Sequence, residues 1–97
     1  MLFLSRLAVV TMLSVGSLMA QTTTTGSVKS ITYNSDGLAI SFVLKKSPGT
    51  EEVTFTIDVP SEQMTQNLKD WKKDESKLKV TDQDSDKNIE AGDTITA

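Results

Sequence analysis

Two residue types that carry much of the chemistry of exported proteins are missing: the 97-residue chain has no cysteine and no histidine. Without cysteine there is no disulfide framework, so a small domain must be held by its hydrophobic core, a bound ion or association with other chains. Without histidine, serine and cysteine triads, imidazole acid–base catalysis and zinc sites built on His or Cys have no residues to work with. Arginine occurs once, at Arg6, and the aromatics are one tryptophan, one tyrosine and three phenylalanines. Acids are plentiful enough for a two-carboxylate hydrolase. A substrate cleft is hard to build from so few residues, however, and the expectation is a domain without catalytic activity.

What is present begins with an export pattern. Arg6 supplies a positive n-region, Leu7 to Leu18 an apolar h-region, and the chain then breaks at Ala20-Gln21, the layout of a secretory leader. After Arg6 only about 14 apolar residues run without interruption, short of the roughly 20 that a spanning helix needs. The expected organisation is therefore a signal peptide at 1–20, a flexible threonine-rich lead-in at 21–25, and one small domain at 26–97, placed in the periplasm or secreted. Removing the leader takes Arg6 and no acid, leaving nine lysines against thirteen carboxylates, a formal charge of −4. That balance disfavours phosphate backbones and anionic membrane surfaces alike.

Periodicity divides the domain. Gly26 to Asn34 reads as a strand whose apolar members, Val28, Ile31 and Tyr33, change phase and so imply a bulge. Asn34-Ser35-Asp36-Gly37 is a turn, because Asn, Asp and Gly tolerate positive φ. Leu38, Ile40, Phe42 and Leu44 then alternate against Ala39, Ser41, Val43 and Lys45. After the turn at Ser47-Pro48-Gly49-Thr50, Val53, Phe55, Ile57 and Val59 alternate against Thr54, Thr56 and Asp58. Ser61 is a candidate N-cap, and Met64, Leu68 and Trp71 share one face of a helix running to about Lys73. Leu78 and Val80 open a fourth strand, and Asp93 to Ala97 offers a short fifth carrying Ile95.

The fold class is thus mainly β with one helix, in the order β-β-β-α-β-β. Gly26-Ser27-Val28-Lys29-Ser30-Ile31 and Gly92-Asp93-Thr94-Ile95 resemble the G-x-V-x-x-I opening and G-D-x-I ending of small exported OB-like domains, periplasmic copper chaperones among them. The resemblance implies a five-stranded barrel with its helix between the third and fourth strands. Only about five residues remain to close such a barrel, so the fallback is an open antiparallel sheet with one packed helix. Fold resemblance does not carry function. Copper chaperones use methionines, a histidine and a tryptophan, whereas here only Met64 and Trp71 remain beside Leu68 on the apolar helix face, where core packing is the expectation.

The most specific local pattern is acidic. Counted from Asp82, the residues Asp82, Asp84, Asp86, Asn88, Glu90 and Asp93 put oxygens at positions 1, 3, 5, 7, 9 and 12, with Ile89 at position 8. This resembles an EF-hand calcium loop, which wraps a hard cation in oxygens at those positions. Three departures stand against it: Lys87 where the turn calls for glycine, Asp93 in place of the bidentate Glu, and strands instead of helices on both flanks. The loop therefore reads either as a solvated acidic linker or as a calcium site of the weak extracellular kind, about 10⁻⁴ to 10⁻³ M. No other cofactor is expected. The function expected overall is an exported module that binds another protein or an envelope component. The alternatives are calcium-dependent structure or binding through 82–93, and inhibition of an extracytoplasmic enzyme whose basic cleft takes the acidic loop.

Overall fold

A computed structural model describes residues 20–97, so the expected leader lies outside the described residues apart from Ala20. The elements are β1 (Thr22–Tyr33), β2 (Ala39–Lys46), β3 (Glu52–Ile57), α1 (Glu62–Asp74), β4 (Leu78–Asp82), β5 (Asn88–Ile89) and β6 (Thr94–Thr96). They form one six-stranded sheet in the order β5-β3-β2-β1-β4-β6, curled into a half-barrel with α1 packed on it. The fold is mainly β with one helix after the third strand, as expected. No described helix is long and apolar enough to cross a membrane.

The curl starts at Gly26. From Thr22 to Gly26, β1 pairs with β4, and from Gly26 to Tyr33 it pairs with β2, so one strand serves two neighbours. A Cβ on Gly26 would overlap the Lys45 carbonyl group, which is why this position takes glycine. The phase change read between Val28 and Ile31 is a bulge, the register shifting between Val28 and Ser30. The turn at Asn34 is closed by its side chain, whose Oδ1 accepts from the Asp36 and Leu38 amides at 2.9 and 3.0 Å.

Four sequence expectations need correcting. Thr22–Thr25, expected as a flexible lead-in, form the start of β1 and pair with residues 79–82. Ala39, expected on the outer face, is fully buried: the register slips between Thr32 and Tyr33, and the Ala39 amide donates to Thr65 Oγ1 of α1 at 2.8 Å. Val59, expected inside, is 74% exposed, because β3 ends at Ile57 and the chain turns outward toward Pro60. The single closing strand is two pieces: β5 runs parallel to β3, and β6 antiparallel to β4. Only residues 90–93 separate these edge strands, and a five-residue step spans at most about 18 Å. The two edges of the half-barrel are thus tied by the chain itself.

The core sits inside the curl. Val28, Phe42, Leu44, Phe55, Ile57, Leu78, Val80 and Ile89 come from the sheet and Leu68 from α1, with Met64, Trp71 and Ile95 packed against them. Phe42 and Phe55 are paired across β2 and β3, their rings stacked with centroids 5.4 Å apart. Such a pair contributes roughly 0.5–1.5 kcal/mol beyond area burial. Ser61 caps α1 as expected, its Oγ accepting from the Met64 amide at 3.1 Å, an interaction worth about 1 kcal/mol.

Candidate functional site

The site is delivered by β4. Successive side chains of a strand alternate between faces, so Leu78 and Val80 point into the core and Asp82 follows them inward. It is 2% exposed. Its Oδ2 accepts the Lys87 amide at 2.7 Å, while Oδ1 is the one buried side-chain oxygen or nitrogen without a partner among the described residues. An orphaned buried acceptor costs roughly 1–3 kcal/mol, more when charged. A structure that retains one has a reason to.

The following loop folds its acids back toward that carboxylate. Asp84 Oδ1 accepts the Asp86 amide at 3.3 Å, and Asp86 Oδ1 accepts the Asn88 amide at 2.9 Å, two successive side-chain turns. At the centre of each, Ser85 and Lys87 take left-handed backbone angles, φ 59° and 61°. Position 6 therefore makes the turn that calls for glycine, but with a lysine, at a cost of about 1–2 kcal/mol. The result places one oxygen each from Asp82, Asp84 and Asp86 within 4.8 Å of one another. Calcium–oxygen distances of 2.3–2.6 Å allow oxygens on one ion to lie up to about 5 Å apart.

Glu90 joins the group. Its carboxyl lies against Asp84, and that contact, with desolvation and the charges of Asp84 and Asp86, pushes its pKa up to about 7. Desolvation also raises Asp84, against the opposing hydrogen bond with Glu90. Asp86 is lowered, chiefly by the Asn88 amide. A carboxyl that holds its proton to neutrality reports a site crowded with negative charge.

Asn88 and Asp93 do other work. Asn88 Oδ1 accepts from Thr56 Oγ1 at 2.8 Å, tying β5 to β3. Asp93 uses both oxygens on the loop backbone, Oδ1 accepting the Gln83 amide at 2.8 Å and Oδ2 the Glu90 amide at 3.1 Å. Of the six sequence candidates, the structure brings Asp82, Asp84, Asp86 and Glu90 together and makes Asp93 the staple of the loop. The burial of Asp82 was visible in the alternation Leu78, Val80, Asp82.

The remaining candidates sit in the core or at its margin. Met64 and Trp71 pack against the core from α1. Tyr33 is 42% exposed, and the Lys69 ammonium lies 5.5 Å from its ring centroid. Comparison with protein-family models, curated proteins and solved structures returns no match, which leaves the site to be read from its own geometry.

Proposed function

We propose that this chain is an exported, non-catalytic binding module whose acidic loop takes up Ca²⁺ through Asp82, Asp84, Asp86 and Glu90. The observation that carries the reading is the buried Asp82 carboxylate, one oxygen of which has no partner, grouped with the carboxylates of Asp84 and Asp86. Those acids offer hard oxygen donors and no sulfur or imidazole, the donor set that suits calcium rather than a transition metal. Calcium is favoured over magnesium because it tolerates irregular oxygen geometry, whereas magnesium demands a near-ideal octahedron and dehydrates reluctantly.

With Asp93 committed to the loop backbone, water completes the coordination and the affinity stays in the range of about 10⁻⁴ to 10⁻³ M. A site that weak fills only where calcium is millimolar, which fits the export leader read at the N terminus. Calorimetric titration of the protein with Ca²⁺ tests the reading directly. The expected result is a single site in that range, with Mg²⁺ at least tenfold weaker and no heat in Asp84→Asn. Equal heats for the variant and the parent protein would exclude the loop as the site.

A further inference from the structure

We infer that the acidic loop is a latch on the start of β1: a divalent cation in the loop fixes Thr22–Thr25 on the sheet, and its removal frees them. The inference rests on the calcium reading and adds what the site regulates. Its structural basis is Ser85, which lies between Asp84 and Asp86 and ligates nothing. Ser85 Oγ is hydrogen-bonded to Thr22 Oγ1, a contact that stays with the domain after the expected cleavage, and in the uncleaved chain it also donates to the Ala20 carbonyl at 2.5 Å. One loop side chain therefore holds the start of β1.

Those residues have little else to hold them. Among the described residues, Thr22–Thr25 pair with β4 on one side only, since pairing with β2 begins at Gly26, and the further backbone bond is from the Ser47 amide to the Thr25 carbonyl at 2.9 Å. The face carrying Thr22 and Thr24 lines a cavity of about 210 Å³, walled also by Val53, Phe55, Asp82 and Ser85, among others. No large apolar side chain lies in the segment, and Thr24 alone of its side chains is buried. A strand end with one ladder, one buried threonine and a cavity beside it belongs to the low-stability end of a domain.

The loop sets whether that end is held. Thr22 sits opposite Asp82 in the β1–β4 ladder, so the ladder terminates at the buried carboxylate whose Oδ1 has no partner. A cation drawing Asp82, Asp84 and Asp86 together holds Ser85 in place between two of its ligands. Without it, the carboxylates of Asp82, Asp84 and Asp86 repel one another and the Ser85 contacts open with the loop. The latch closes beside Ala20-Gln21, the expected cleavage bond, so the start of the domain is pinned where calcium is abundant.

Hydrogen exchange on the full chain, with its N terminus as the producing cell leaves it, tests this with Ca²⁺ alone as the probe. In chelator, amides of Thr22–Thr25 should exchange at least about tenfold faster than those of β2, and millimolar Ca²⁺ should remove most of that difference. Ser85→Ala should keep calorimetric calcium binding and the slowing of β2 exchange, yet lose the extra protection of Thr22–Thr25. If Ser85→Ala keeps that protection, or if Thr22–Thr25 already exchange with β2 in chelator, the latch is wrong while the calcium site stands. If calorimetry finds no calcium binding at all, both fall together.

Discussion

At the scale of single residues, Lys87 is where sequence and structure pull hardest against each other. Its backbone is left-handed, which suits glycine, and its ammonium adds positive charge to an otherwise acidic loop. Lys87→Gly keeps the amide that Asp82 Oδ2 accepts and removes both penalties. Gly carries extra freedom in the unfolded chain, so the net gain in stability should be about 0.5–1 kcal/mol. Urea unfolding in chelator should show that gain, and calcium titration should show tighter binding. Glu90 supplies the pH dependence. Its folded pKa is raised from 4.5 to about 7, so the folded state holds a proton that the unfolded chain has released. The stability from that proton is fully present below pH 4.5 and is lost as pH rises through about 7. Unfolding midpoints in chelator should fall between about pH 5 and about pH 8, and Glu90→Gln should flatten the fall.

At the scale of elements, β1 carries the strain of the curl at one residue. Gly26→Ala would drive a methyl into the Lys45 carbonyl, and an overpacked site of this kind costs about 2–3 kcal/mol, readable as a lower denaturant midpoint. Where an element announces itself by an apolar period, the sequence was sufficient. The alternation through Phe42 and Leu44, the i, i+4, i+7 face of Met64, Leu68 and Trp71, and the Asn34 turn all stand where their patterns place them. The elements that escaped have no such period. Thr22–Thr25 is polar throughout and becomes strand because β4, more than fifty residues later, supplies the ladder. β5 is two residues long and parallel to β3, and its Ile89 is equally at home at position 8 of a calcium loop. Ala39 went inward because a register slip cannot be read from one strand alone. In the site, the oxygen spacing was legible from composition. The division of labour was not, since Asp93 and Asp84 differ only in which amides the folded loop presents to them.

At the scale of the molecule, one segment does two jobs. Residues 82–93 tie the β3 edge of the half-barrel to its β4 edge, through β5 and the turn closed by the Asp93 amide on the Glu90 carbonyl at 3.0 Å. The same residues gather the carboxylates of Asp84 and Asp86 to that of buried Asp82, with Glu90 against Asp84. In a domain without disulfides, a cation there would stabilise both edges at once, by about 1.4 kcal/mol at tenfold excess over its dissociation constant. For a domain of this size that is roughly a 6–11 °C rise in melting temperature. The most direct test is the melting temperature of parent and Asp82→Asn proteins, each in chelator and in Ca²⁺ at tenfold excess over the parent's dissociation constant. The substituted side chain keeps an oxygen to accept the Lys87 amide but carries no charge. The parent should gain about 6–11 °C with calcium, and Asp82→Asn should gain none while melting in chelator at or above the parent. A variant that melts well below the parent in chelator, or a parent that ignores calcium, would mean that Asp82 serves the fold alone, and would contradict the account.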